Sequence, residues 1–316
     1  MKEYDISVVI PAHNEEGNLM PLFQRLNKAL SEFGRSFQIV FVNDGSTDDS
    51  EKVLEEIQRN NSNITVINFF KKMGKALALE QGFELVKGQY VVVIDSDLQH
   101  DPEDVPKLVK KMDEGFDVVS GKRVNRQDEK RTILTSRLFN WLMRLITGLK
   151  FEDYFSGLKC FRMNVIQYLA LYGDLYRFAA AFAHRNGFRV TEIPVVHRPR
   201  FRGISKYNFL GRLQRAIDDL IIVFFSVTFS RERAYYLGMM GLLLLSAGVA
   251  FVFMAFLIFG IQETAFRHSY MTIGVVMIFI GLELAIFKRI ADNFFARHQE
   301  ERLHRKRNIK NILRCN

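Results

Sequence analysis

Cysteine is almost missing: the 316-residue chain has two, Cys160 and Cys315, too far apart for a metal-ligand spacing. That sets aside a disulfide framework and a cysteine-based zinc site, and makes a reducing cytoplasm the simplest setting. The opening residues Met-Lys-Glu-Tyr-Asp lack the apolar run of a signal peptide, so the first domain is expected to stay on the side where it is made. Internal repeats and low-complexity linkers are absent. Gly74-Lys75 lacks the preceding glycine and following Ser/Thr of a P-loop, which removes an ATPase reading. Tryptophan occurs once, as Trp141.

Positive charge and apolar length are plentiful. The 44 Lys+Arg exceed the 35 Asp+Glu by a formal +9, and they crowd into 197–215 and 288–314, both beside apolar segments. That distribution favours anionic lipid and phosphorylated small molecules over nucleic acid. Two stretches, Tyr235–Gly260 and Tyr270–Phe287, are apolar enough to be transmembrane helices. At 1.5 Å per residue they reach roughly 39 Å and 27 Å, against a hydrocarbon core of about 30 Å. Only Arg267 and His268 add positive charge to the loop at 261–269, whereas Arg231 and Arg233 precede the first span and Lys288 and Arg289 close the second. The positive-inside rule then puts both termini in the cytoplasm, with the whole a multi-pass membrane protein. Tyr207–Phe229 carries apolar residues at helical spacing among Arg212, Arg215, Asp218 and Asp219, and reads as an interfacial helix, with an ordinary core helix as the alternative.

Before the spans, apolar runs at Ile6–Ile10, Phe37–Val42, Ile64–Phe69, Tyr90–Ile94 and Phe116–Ser120 alternate with helix-like segments near 15–34, 48–60, 75–87 and 103–114. Such alternation predicts an α/β fold with a mostly parallel sheet. Residues 122–206 are less regular, with helices expected at about 132–148 and 163–171 and strands around Lys159–Phe161 and Val190–Val196. Four regions follow: a cytoplasmic catalytic domain 1–206, an interfacial region 207–232, a transmembrane hairpin 233–289 and a basic tail 290–316. For that tail three readings stand: contact with anionic lipid, which is preferred, the subunit interface of a homo-oligomer, or a solvated helix.

The chemistry concentrates at strand ends. Val91-Val92-Val93-Ile94-Asp95-Ser96-Asp97-Leu98-Gln99 delivers two carboxylates and an amide to the carboxyl end of a β-branched run, where open α/β sheets bind ligands. Hard oxygen donors there suit Mg²⁺ or Mn²⁺ carrying a diphosphate. Val9-Ile10-Pro11-Ala12-His13-Asn14-Glu15-Glu16 and Phe41-Val42-Asn43-Asp44-Gly45-Ser46 would converge on the same edge.

These segments resemble a family 2 glycosyltransferase of the polyprenyl-phosphate (dolichol-phosphate mannose synthase-like) branch. Further matches are Gly74-Lys75-Ala76, Pro102-Glu103, Gly121-Lys122-Arg123, Ser156-Gly157-Leu158-Lys159 and Arg200-Phe201-Arg202-Gly203-Ile204-Ser205-Lys206-Tyr207, in family order over residues 5–207. The resemblance implies a GT-A (Rossmann-like) fold and an inverting transfer of a single sugar from a UDP- or GDP-sugar to undecaprenyl or dolichyl phosphate, at the cytoplasmic leaflet. By it, Pro11, His13, Glu15, Val42 and Asp44 would hold base and ribose. Asp97 and Gln99 would bind the metal, with Asp95 beside them and Asp95 and Ser96 against the nucleotide. Arg200 and Lys206 would grip the donor diphosphate, for which a bidentate guanidinium and a point-charge ammonium are suited. Arg123, Ser136 and Arg137 are candidates for the acceptor phosphate. Asp153 stands where the family has its candidate catalytic carboxylate, yet a phosphomonoester with a second pKa near 6 needs little deprotonation. His13 stands where the family often has Tyr, and Asn43 replaces the first Asp of an Asp-Asp-Gly-Ser pattern.

Two rivals are weighed against this. One is a glycosyltransferase using another lipid or glycan acceptor; Trp141 is followed by Leu142-Met143, outside the Gln-x-x-Arg-Trp pattern of processive synthases. The other is a non-catalytic scaffold that binds nucleotide-sugar.

Overall fold

The structure is a computed structural model describing residues 3–124, 130–169, 173–198, 231–259, 265–305 and 309–314, with 214, 217, 220 and 223 as helical positions. Two units are present: residues 1–223 with 304–316, and residues 224–303.

Continuous apolar runs form the strands of the first unit because both faces of the sheet are covered. β1 (Tyr4–Ala12) buries every residue from Ile6 onward, and β3 (Ile64–Phe69) buries all of its length. With β2 (Phe37–Asn43) and β4 (Gly88–Val93) they build the parallel half: β1 pairs with β2 and β4, and β2 with β3. The crossovers are helices with one apolar stripe. α1 (Glu16–Phe33) turns Leu19, Leu22, Phe23, Leu26 and Leu30 inward and ends on Gly34 in the left-handed region; this is the helical spacing and the usual C-terminal cap. α2 (Ser50–Arg59), α3 (Lys75–Leu85) and α4 (Val105–Asp113) follow, each between two strands.

The second half brings β5 (Val118–Val124), α5 (Lys130–Thr147), β6 (Lys159–Arg162), α6 (Met163–Leu169), a 3-10 turn over Gly173–Phe178, α7 (Ala179–Arg185) and β7 (Val190–Val196). The sheet reads β7-β5-β6-β4-β1-β2-β3-β8, with β6 antiparallel between β4 and β5, and β5 parallel to β7. The alternation predicted from the sequence matches these elements closely.

β8 (Ile309–Arg314) differs from expectation. It pairs antiparallel with β3, Thr65 opposite Arg314 and Asn68 opposite Asn311, so part of the basic tail is the eighth strand of the sheet. Six residues without an alternating pattern give no periodic signal that competes with their charge.

The second unit is a hairpin of α8 (Arg231–Phe259) and α9 (Ala265–Arg305). Its candidate membrane spans are Tyr235–Ile258 and His268–Ile290, 24 and 23 residues with mean hydropathy 2.6 and 2.2. Glycines let the helices touch. A Cβ at Gly248 would lie 2.7 Å from the Gly274 carbonyl oxygen, and one at Gly281 2.6 Å from that of Gly241. Close backbone approach of this kind is how apolar helices gain packing where burial from water offers nothing. Of the expected interfacial region 207–232, the residues other than 214, 217, 220, 223, 231 and 232 lie outside the described ones.

Candidate active site

Parallel pairing brings the carboxyl ends of β1, β2 and β4 to one edge. β1 contributes buried Pro11 and half-buried His13 and Glu15; β2 contributes buried Val42 and Asp44; β4 leads to Asp95, Ser96, Asp97 and Gln99, with Ser96 and Asp97 buried. The structure therefore gathers nine of the residues singled out from the sequence.

Asp44 organises one side. Its carboxylate accepts the Met73 N–H at 2.6 Å and the Gly74 N–H at 2.9 Å, and its carbonyl accepts His13 Nδ1–H at 2.8 Å. Burial pushes the Asp44 carboxyl above its ordinary value, against the pull of those two amides. Asn43 donates from Nδ2 to Asn68 Oδ1 at 2.9 Å, a bond that a carboxylate at this position has no hydrogen to make, and accepts the Ser46 N–H at 3.2 Å. Gly45 sits at φ 57°, and a Cβ there would lie 2.2 Å from the Lys71 carbonyl carbon. Only glycine lets this turn seat against residues 71–72. Asn14, at φ 55°, accepts the Thr47 N–H at 2.8 Å and donates its own N–H to Ser46 Oγ at 2.9 Å, locking the first two strand ends together.

At the end of β4 an ion pair stands out. Lys75 Nζ, at the start of α3, is bonded to Asp95 Oδ1 and lies 5.4 Å over the Tyr176 ring. Burial opposes ionisation of Asp95, but Lys75 prevails and holds the carboxyl below its ordinary value. Gly157 presses on the other oxygen: a Cβ there would lie 2.3 Å from Asp95 Oδ2. Leu98 is buried at φ 58°, an uncommon conformation for a bulky side chain, and the turn sets the Gln99 N–H on Asp97 Oδ1 at 3.2 Å. His100 accepts the Gly157 N–H on Nε2 at 3.2 Å, which makes Nδ1 the protonated nitrogen. Burial pushes its imidazole down to about 4.

Asp153 lies on the loop before β6, gripped by Arg123: Nε reaches Oδ2 at 2.6 Å, Nη2 reaches Oδ1 at 2.9 Å, and the Arg123 N–H also donates to Oδ2 at 3.2 Å. Burial works against the charge, but this bidentate pair holds the carboxyl at about 2. Beneath it, Lys159 is buried and donates Nζ–H to the carbonyls of Ser156 and Tyr154. Burial pushes its ammonium down to about 7, with Asp153 and Asp95 pulling up and Lys75 and Arg123 pushing down.

The segment after β7 returns to this edge. His197 forms a β-bridge with His100, and the Arg198 N–H donates to the Gln99 carbonyl at 2.8 Å. Arg198 Nη2 holds one oxygen of Asp101 at 2.5 Å while Arg25 Nη2 holds the other at 2.6 Å. Arg198 is thereby a brace of the loop that follows Asp97. Arg200, Arg202 and Lys206 lie outside the described residues. Ser136 and Arg137 stand on α5, half-buried and exposed.

Among the described residues no three His, Cys, Asp or Glu side chains form a ready-made metal cage. With Lys75 on Asp95, Asp97 and Gln99 present a carboxylate and an amide oxygen. That is the donor set Mg²⁺ or Mn²⁺ uses when substrate phosphates and water complete the shell, so the residues fit such an ion. Lys75, Tyr176 and Lys159 had been given no role from the sequence; a lysine heading the otherwise apolar strand Lys159-Cys160-Phe161 was the available signal.

A mostly parallel sheet with its polar groups at one carboxyl edge, interrupted by antiparallel β6, is the GT-A arrangement. The fold is shared with glucosyl-3-phosphoglycerate synthase from Mycobacterium tuberculosis, solved with Mn²⁺ and UDP-glucose: TM-score 0.55, 21% identity, covering 71% of this chain and 79% of that one. The chain belongs to glycosyl transferase family 2, whose model matches residues 7–180. Its curated relatives include the undecaprenyl-phosphate 4-deoxy-4-formamido-L-arabinose transferase of Klebsiella pneumoniae (strain 342), 34% identical over 88% of this chain and 84% of the relative. The protein of the same name from Edwardsiella ictaluri (strain 93-146) is 31% identical over 98% of this chain and 95% of its own length.

Proposed function

We propose that this enzyme transfers one sugar, with inversion, from a UDP- or GDP-sugar to a polyprenyl phosphate such as undecaprenyl or dolichyl phosphate, at the cytoplasmic leaflet of the membrane that its hairpin spans. The observation that carries the reading is the meeting of three groups on one sheet edge: Asp44 with its amide clasp, the Asp95–Gln99 turn, and the Asp153–Gly157 loop closing on Asp95. The similarity to undecaprenyl-phosphate transferases along nearly the whole chain supports the acceptor class.

In this reading the Asp44 turn, with Pro11, His13, Glu15 and Val42, seats the nucleoside. Lys75 holds Asp95 and Ser96 against it. Asp97 and Gln99 would hold Mg²⁺ or Mn²⁺, which when bound supplies positive charge to the leaving diphosphate. Arg200 and Lys206 are assigned to the same diphosphate, because charge develops there as the glycosidic bond breaks. Arg123, Ser136 and Arg137 face the incoming phosphate. Asp153 serves as the anchor of Arg123: a carboxylate held at about 2 is a poor proton acceptor, and the acceptor phosphate is largely dianionic at neutral pH. The domain scheme is a catalytic unit, a membrane hairpin and a returning C-terminal strand, with both termini cytoplasmic.

The test is a panel of radiolabelled UDP- and GDP-sugars with polyprenyl phosphate and Mn²⁺ or Mg²⁺, counting label in the organic phase. Label from one donor, lost with EDTA and reduced at least 100-fold in Asp97→Ala, is expected. Nucleotide binding without label from any donor would favour another acceptor or a scaffold.

A further inference from the structure

We propose that α5 is a membrane-surface helix, with Leu138, Trp141 and Leu145 seated at the headgroup boundary of an anionic bilayer while its other face holds the loop of the active site.

These three side chains are 59%, 53% and 65% exposed, and at spacings of three and four they form one stripe. In the first unit the other large apolar side chains so exposed, among the described residues, are Phe70, Val196 and Ile217, none of them on this helix. A contiguous patch on one helix face signals a partner, where scattered residues would not. Three observations point to lipid. The sequence of α5 contains no acidic residue, and Arg137 and Arg144, seven apart on the flank of the stripe, are exposed, as is Lys150 just beyond the helix. An apolar stripe edged by arginine is the composition of helices that lie in the interface, where the arginine stems run along apolar surface to headgroup phosphates. Tryptophan is the side chain enriched at that depth. The chain also carries two candidate membrane spans, so a bilayer is at hand.

The opposite face ties this surface to the chemistry. Phe139 and Met143 are buried there, Phe139 packing on Phe155 with ring centroids 4.5 Å apart; from the flank, Arg144 Nε also donates to the Phe151 carbonyl at 2.8 Å. Phe155 lies two residues from Asp153 and two from Gly157, which abuts Asp95. A helix seated on the bilayer would thereby set the position of the loop that receives a lipid-borne phosphate. This second step rests on the acceptor proposed above; the seating itself does not.

Trp141 is the only tryptophan, so intrinsic emission reports on this helix alone. The full chain is reconstituted in phosphatidylcholine–phosphatidylglycerol vesicles, with phosphatidylcholines brominated high or low on the acyl chain. Expected are a blue-shifted emission, at least twofold stronger quenching by the shallow bromines than by the deep ones, and little quenching by iodide. Emission at the wavelength of hydrated indole with full access to iodide would overturn the proposal. Shielding from both quenchers would also overturn it, in favour of a protein partner or a second copy. The double variant Leu138→Gln/Leu145→Gln should lose the bromine quenching and lower turnover on vesicle-borne polyprenyl phosphate at least fivefold, with nucleotide binding unchanged. Because quenching is read without turnover, failure of the acceptor assignment leaves the two results distinguishable.

Discussion

Replacing Asp153 with Asn separates an anchor from a base. The carboxylate is 6% exposed and its partner Arg123 15%, so the pair is little screened. Its pKa falls from 3.8 to about 2 on folding. Roughly 1.8 units at 1.36 kcal/mol each is about 2 kcal/mol, and removing one member of a buried pair, which strands the other charge, costs about 3–5 kcal/mol by comparison with measured cases. Because the folded pKa is depressed, this stability is fully present above the ordinary carboxylate value and is lost as pH falls through about 2. At pH 7 Asp153→Asn should therefore lower stability by about 2–5 kcal/mol, seen as a lower midpoint in a denaturant titration in detergent. Activity should fall 10- to 100-fold with the mobility of Arg123. Asp153→Asn/Arg123→Met should be no less stable than the weaker single variant, a coupling of about 2 kcal/mol. An anchor ionised far below neutrality also puts no limb on the rate profile between pH 5 and 8. The reasoning fails if the wild-type rate shows an acid limb near pH 6 that Asp153→Asn abolishes, or if the variant is as stable as the wild type.

Two further outcomes follow from the same physics. Lys159 has its pKa depressed from 10.5 to about 7, so between these values the unfolded chain binds the extra proton and stability rises with pH. Lys159→Met should reduce that slope by up to about 1.4 kcal/mol per pH unit, measured as the difference between wild-type and variant denaturant midpoints across pH 7.5–9.5; parallel curves would show that the ammonium is not buried as described. Gly248→Leu would force a side chain into the 2.7 Å gap to Gly274, so thermal unfolding in detergent should move down by several degrees while nucleotide affinity is retained. An unchanged midpoint would mean the helices do not meet at these glycines.

Much of the fold and of the candidate site is written in local patterns. β1, β2 and β4 are apolar runs whose ends carry polar residues in the next few positions, and parallel pairing alone brings such ends together. What escaped was long-range. Lys75 meets Asp95 twenty positions away across α3, and Arg123 meets Asp153 thirty positions away across α5. Neither pairing has a spacing rule, because it depends on how helices return the chain to the sheet. From the sequence Arg123 and Asp153 were read separately, one toward the acceptor phosphate and one as a candidate catalytic carboxylate; the fold joins them in one ion pair.

β8 escaped for a related reason and bears on topology. β1 opens the described chain and β8 closes it, yet both lie in one hydrogen-bonded sheet, which cannot straddle a bilayer because open sheet edges leave backbone groups unsatisfied in hydrocarbon. An even number of crossings must therefore separate them, and the two candidate spans satisfy that parity without appeal to loop charge. Parity and the positive-inside pattern are independent, and they agree in supporting termini on one side. The pairing also has a local consequence. Asn311 lies opposite Asn68, and Asn68 accepts the bond from Asn43 beside Asp44, so the last strand backs the edge of the sheet next to the Asp44 turn. The last described strand thus completes the sheet whose β1, β2 and β4 ends carry the candidate active site.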